Sequence, residues 1–237
     1  MRNEKCLKAL WEYTHTHTHT HTENFLEDNI NTIVLGDSYK LIKKIPNNSI
    51  DLIILDPPYE VETKGGNTNI GKNVNIVLSE LEELEITDGI DYSLLDELCR
   101  VMKKINIYIW CNKKQILDYL KYFIDGRGCR YEILLYLKND PTPLCGGNYL
   151  IDKEYCLYFR KGVKLNTSYD SARTYFLLNK NVKDRAKYLH PTIKPLSIIR
   201  TLIKNSSNEG DIVLDCFSGS GTTCVAAKEL NRRYLGI

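Results

Sequence analysis

The run Ile50-Asp51-Leu52-Ile53-Ile54-Leu55 is almost continuously apolar and ends abruptly in Asp56-Pro57-Pro58-Tyr59. Six residues rich in branched side chains, with no in–out alternation, suit a strand buried on both faces. That is the situation of a parallel sheet covered by helices on either side. Two successive prolines remove the backbone donors that a further strand residue would need, so the strand must stop there. An acid and an aromatic are thereby delivered at the mouth of an interior strand.

The rest of the chain fits the same architecture. Residues 30–35, 105–110, 131–137, 154–159, 212–215 and 234–237 read as strands. Residues 38–45, 80–104, 113–124, 195–204 and 222–230 read as helices. Residues 60–77 and 139–148 read as loops, and 161–189 give no clear period. Strands alternating with helices predict an α/β fold with a doubly wound, mostly parallel sheet. Ligands of such sheets sit at the carboxyl ends of strands.

A length of 237 residues with 43% hydrophobic content suits one medium domain. We expect an N-terminal segment at 1–29 and the main domain at 30–237. The segment holds the strict repeat Thr14-His15-Thr16-His17-Thr18-His19-Thr20-His21-Thr22, with four of the five histidines. In an extended chain these would share one face and bind transition metals adventitiously, but a solvated linker is the plainer reading and no functional metal is expected. An uninterrupted A–C dinucleotide tract would encode such a repeat, so the repeat also suggests a gene switched by frame shifts. The eight cysteines form no C-x-x-C pair and read as reduced, mostly buried thiols of a cytosolic protein. No signal peptide and no membrane-length apolar stretch is present, so a soluble, cytoplasmic protein without a membrane partner is expected.

The net charge of +2 is uninformative, but its distribution is not. Residues 79–97 carry eight acids and no base, whereas residues 160–194 carry nine bases against Asp170 and Asp184. A basic stretch of this kind can neutralise phosphates.

Two constellations carry chemistry. Asp215-Cys216-Phe217-Ser218-Gly219-Ser220-Gly221-Thr222-Thr223 joins a strand to a helix. Gly219 and Gly221 permit a tight turn and close backbone approach by a ligand. The free amides of the helix start at Thr222 attract a carboxylate or another polar group. The sequence is neither the full dinucleotide fingerprint nor a phosphate loop. In the second constellation, Asp56 and the Pro57 carbonyl can both accept hydrogen bonds from one NH₂ group, while Tyr59 stacks on the ring that bears it. Two acceptors gripping an aromatic amine favour a more tetrahedral nitrogen whose lone pair can attack a methyl donor.

Together these motifs resemble those of the amino-methylating DNA methyltransferases. The loop with Phe217 is similar to their cofactor loop, and Asp56-Pro57-Pro58-Tyr59 is similar to their catalytic tetrapeptide. Gly36-Asp37 and His190-Pro191-Thr192-Ile193-Lys194-Pro195 match further family segments. The catalytic motif precedes the cofactor loop, the permuted order of the beta group. The resemblance implies a Rossmann-like fold, S-adenosylmethionine as cofactor, double-stranded DNA as partner and a flipped target base. It implies Asp56, Pro57, Pro58 and Tyr59 as catalytic residues. Asp37, Asp56, Thr192, Lys194, Asp215, Phe217, Gly219, Gly221 and Thr222 would lie around the cofactor, with His190 structural.

Aspartate at the first tetrapeptide position favours adenine N6 over cytosine N4 methylation. Residues 139–189 would read the target sequence. Their shortness implies a short site or help from a second copy in a homodimer, and the family context implies a cognate restriction enzyme. The family carries an acid beyond the strand that starts at Tyr234, and the sequence ends before it. A catalytically inactive DNA-binding remnant is therefore the rival expectation.

Overall fold

The computed structural model describes residues 24–57, 90–141, 149–179 and 193–237. The Thr-His repeat, Pro58, Tyr59, the expected loop at 60–77, His190, Pro191 and Thr192 lie outside the described residues. Among the described residues an eight-stranded sheet organises the fold, in the order β1-β8-β7-β2-β3-β5-β4-β6. The strands are β1 Thr32–Ile33, β2 Leu52–Leu55, β3 Asn106–Cys111, β4 Arg130–Lys138, β5 Lys153–Arg160, β6 Tyr175–Leu178, β7 Ile212–Asp215 and β8 Arg233–Gly236. All pairings are parallel except those of β5 with β3 and β4. The mostly parallel, doubly wound sheet expected from the sequence is present.

Helices cover both faces. The described helices are α1 Phe25–Asn29, α2 Ser38–Leu41, α3 Tyr92–Val101, α4 Ile116–Leu120, α5 Leu196–Ser206 and α6 Thr222–Glu229. On α3 the buried residues are Leu94, Leu95, Leu98 and Val101, a stripe of helical period, and the Asp91 carboxylate caps its start by accepting from Leu94 N. These side chains join Ile53, Leu55, Ile107 and Ile109 in one core cluster. On α5 the stripe is Ile198, Ile199, Leu202 and Ile203. It packs with Ala226 and Ala227 of α6 against Leu52, Ile54, Tyr108 and Val213 on the opposite face. The two alanines let α6 lie close to the sheet.

The structure departs from the sequence reading in several places. Of the helix expected at 80–104, residues 80–89 lie outside the described residues, and the helix runs only over Tyr92–Val101, with Asp91 capping its start. The fold begins before residue 30, because α1 buries Leu26 in the core. The strand expected at 30–35 is only Thr32–Ile33. Asn31 takes a positive φ just before it, and Gly36-Asp37 turns the chain into α2 just after. Within 139–189, the strand expected at 154–159 is β5, an interior strand with Cys156, Leu157, Tyr158 and Phe159 buried between β3 and β4, while β6, in the stretch 161–189 that gave no clear period, adds an edge beyond β4.

Strand β8 seals the glycine loop. Ser218 N and Ser218 Oγ both donate to Ile237 O at 3.0 Å. Gly236 is packed so tightly that an added Cβ would lie 2.6 Å from Ser218 Oγ and 2.9 Å from both Cys224 Sγ and Ile33 Cγ1. Gly236→Ala is expected to destabilise the fold by about 1–3 kcal/mol through overpacking, measured as a lower urea midpoint at unchanged slope.

Candidate active site

Adjacent parallel strands bring the two constellations together. Leu52 pairs with Val213 and Ile53 with Leu214, which sets Ile54 beside Asp215 and places Asp56 two residues further along the same face. Both acids therefore stand at the carboxyl end of the sheet, on the side covered by α5 and α6.

Asp215 is almost fully buried. Its Oδ1 accepts from Phe217 N at 3.0 Å, which bends the chain out of the strand. Burial pushes its carboxyl up to about 7, and the charge of Asp56 adds to the rise. Hydrogen bonds from Thr223 and Phe217 and the charge of Lys194 oppose it. The loop then turns on Gly221, at φ 74°, whose N–H donates to Ser218 O at 2.7 Å. Gly219 also has positive φ. No side chain caps the start of α6, so its first amides remain available to a polar ligand group. An added Cβ on Gly221 would meet Ile33 Cδ1 at 3.1 Å. With the half-buried Phe217 ring alongside, this cradle of glycines, helix amides and apolar surface fits an amino-acid carboxylate joined to a flat base.

The turn at Gly36-Asp37 approaches the loop from the other side. Ser38 Oγ donates to Cys216 O, fastening the α2 start to the loop. Asp37 itself caps α2 by accepting from Tyr39 N and pairs with Lys40. The hydrogen bond from Lys40 holds its carboxyl below the usual range.

The resemblance implies Lys194 beside the cofactor; its ammonium, only 5% exposed, lies on two carboxylates: Asp56 Oδ2 at 2.5 Å and Glu154 Oε2 at 3.3 Å. It also lies 5.2 Å from the centre of the Trp110 ring. The reason is burial: a desolvated ammonium needs countercharge, and the nearest carboxylates are those of β2 and β5. Burial disfavours its charge, but Asp56 and Glu154 outweigh burial and hold its pKa above the ordinary lysine value. Glu154 in turn receives Lys138 at 2.8 Å. Burial alone would raise its carboxyl, yet Lys194 and Lys138 hold it below the usual glutamate range.

Asp56, Lys194, Asp215, Phe217, Gly219, Gly221 and Thr222 thus converge at one end of the sheet, and Asp37 stands at its rim. Pro57 is buried at the strand exit. Sequence reasoning missed Glu154, Trp110 and Lys138. Their alternation along β3, β4 and β5 signals only which face they share, and their partners lie far away in the chain. Among the described residues no group of histidines, cysteines or acids could hold a metal, and no helix is long and apolar enough to cross a membrane.

Comparison with known proteins agrees with this geometry. Residues 50–237 match the model of the N6/N4 DNA methylase family. The chain is 31% identical to the Type II methyltransferase M.HinfI of Haemophilus influenzae, over 90% of its own length and 66% of that protein. It is 29% identical to the DNA adenine methyltransferase YhdJ of Escherichia coli K12, covering 87% of the chain and 77% of that protein. Among solved structures, the M1.HpyAVI–SAM complex superposes with a TM-score of 0.62 at 24% identity, covering 87% of this chain and 91% of that one. That likeness establishes a shared fold.

The raised Asp215 carboxyl makes a prediction. Between about pH 4 and 7 the folded state holds a proton there that the unfolded chain releases, so stability falls as pH rises through that window. Asp215→Asn keeps an acceptor for Phe217 N but cannot titrate. Its thermal midpoint is expected to fall less than that of the wild type from pH 4 to 7, as read by calorimetry across that range.

Proposed function

The chain belongs to the N6/N4 DNA methylase family, and from that premise we propose that it methylates the N6 amine of adenine in double-stranded DNA, with S-adenosylmethionine as donor. One observation carries the reading: Asp56 and the Asp215–Thr222 loop stand on neighbouring parallel strands, at the same end and on the same face. An amine held at Asp56 and a cofactor held by the loop are then within reach of each other.

Bound S-adenosylmethionine supplies an electrophilic methyl group on a sulfonium. On the cofactor side, Asp215 shapes the turn. Gly219 and Gly221 would let the backbone approach, the amides at Thr222 would receive the cofactor's carboxylate, and Phe217 would flank its adenine ring. Asp37 borders the same space, and the family resemblance adds Thr192 to the cofactor-binding residues. On the target side, Asp56 and the Pro57 carbonyl accept the two amine protons, and Tyr59 stacks on the base. With the cofactor bound, the methyl group would pass to the amine nitrogen as its bond to sulfur breaks, which would leave a neutral thioether. The nitrogen then sheds one proton to Asp56 or to solvent. Positioning supplies much of the acceleration, and the base must leave the duplex to reach Asp56.

Aspartate at the head of the tetrapeptide supports adenine, as does the likeness to the DNA adenine methyltransferase YhdJ. Sequence readout falls within 139–189, at a short site or with a second copy of the chain sharing the task. The Type II names of the relatives support a cognate restriction enzyme as companion. The setting is the bacterial cytoplasm.

Asp56→Ala is expected to reduce transfer of a tritiated methyl group to duplex DNA by at least about 100-fold. Calorimetric binding of S-adenosylmethionine should persist. Undiminished turnover in this variant contradicts the assigned role of Asp56, and absence of both binding and label in the wild type contradicts the reading as a whole.

A further inference from the structure

Four charged side chains cross the carboxyl end of the sheet in alternating sign. Lys138 of β4 pairs with Glu154 of β5 at 2.8 Å. Glu154 pairs with Lys194, just before α5, at 3.3 Å, and Lys194 pairs with Asp56, just past β2, at 2.5 Å. Pairing registers put all three strand residues on one face. Tyr136 lies opposite Glu154, Lys138 follows two places on, and Cys156 lies opposite Trp110. The row sums to zero charge, and Lys194, Glu154 and Lys138 are 5%, 18% and 13% exposed.

A buried row of this kind is costly unless each member is held on both sides. Lys194 meets that condition. Two carboxylates fix its ammonium from different strands, and the Trp110 ring lies against it. Because the ammonium grips Asp56 Oδ2, it fixes the plane of the carboxylate and hence the direction of the Oδ1 lone pairs. Rotation of an unheld aspartate about its last bond would otherwise swing both oxygens away from any fixed target. Glu154 acts one step back. It takes part of the ammonium's hydrogen-bonding capacity, so Lys194 orients Asp56 without neutralising it entirely.

We propose that Lys194 and Glu154 are positioning residues for Asp56, and that the row from Lys138 sets the acceptor geometry of the methyl-transfer site. The inference rests on the reading of Asp56 as the group that grips the target amine. It separates Lys194 from the cofactor: losing it should impair turnover rather than cofactor binding. Among the described residues, the titratable groups facing the row include Tyr136 opposite Glu154, with Lys138 over its ring, and Asp215 of β7 and the buried thiol of Cys156. Asp215 and Cys156 respond to Lys194, and none of the three replaces its positive charge.

The test uses the full chain and three variants, Lys194→Met, Lys194→Arg and Glu154→Gln. In the cofactor-free protein, the Glu154 carboxyl is titrated by carbon-detected NMR. Lys194→Met is expected to raise its midpoint, because a cation that holds it down is gone, and Lys194→Arg should leave it near the wild-type value. In methylation assays, Lys194→Met should lower kcat on the order of 100-fold at unchanged KM for S-adenosylmethionine. Lys194→Arg should restore much of it, and Glu154→Gln should lower kcat with KM again unchanged. An unmoved Glu154 midpoint in Lys194→Met overturns the proposal, as does wild-type turnover in Lys194→Met or Glu154→Gln, or a loss confined to KM. A wild-type chain that transfers no methyl group overturns the functional reading itself, a different result from active wild type with indifferent variants.

Discussion

The parallel pairing of β2 with β7 is the constraint on which the rest of the structure depends. Its register, Leu52 with Val213 and Ile53 with Leu214, decides that the acid ending one strand stands near the acid ending the other. A slip of one residue would turn Asp56 toward the face covered by α3 and separate it from the glycine loop. The apolar residues of both strands enforce the register, because Leu52, Ile54 and Val213 must meet α5 and α6 while Ile53, Leu55 and Leu214 fill the other core. Two hydrophobic clusters thus fix a polar geometry that neither contains.

That geometry creates an electrostatic problem. Asp215 is buried with its carboxyl near neutrality, and Asp56 stands on the same face. Lys194 answers it from outside the sheet, brought in by the segment that leads into α5. It cannot act alone, because its own burial calls for a second carboxylate, which β5 supplies as Glu154. The antiparallel strand matters here. Inserted between β3 and β4, it brings its amino-terminal end, and with it Glu154, to the carboxyl edge of its parallel neighbours. The single strand of reversed direction is therefore what lets an acid at the start of a strand face the mouth of the site.

The sequence was most legible where local signals and burial agree. Residues 212–215 and the helix beginning at Thr222 fall where an apolar run, a glycine turn and a helix start place them. The covering helices at 92–101 and 196–206 follow from apolar side chains at helical spacing. Legibility failed where long-range pairing decides. Strand β1 is two residues long because Asn31 and Gly36 turn the chain on either side. No local pattern announces that Glu154 meets a lysine forty residues later, or that Ser218 is tied to Ile237. Lys194 shows the limit of motif reasoning: its segment was identified, but its partners depend on which strands the fold sets beneath it.

The most direct measurement is the nature of the modified nucleoside. Duplex DNA of mixed sequence would be incubated with the chain and S-adenosylmethionine, digested completely, and its nucleosides weighed by mass spectrometry. The account predicts N6-methyldeoxyadenosine above an enzyme-free control. N4-methyldeoxycytidine in its place would contradict the base assignment drawn from Asp56, and the absence of any methylated nucleoside would contradict the account at its centre.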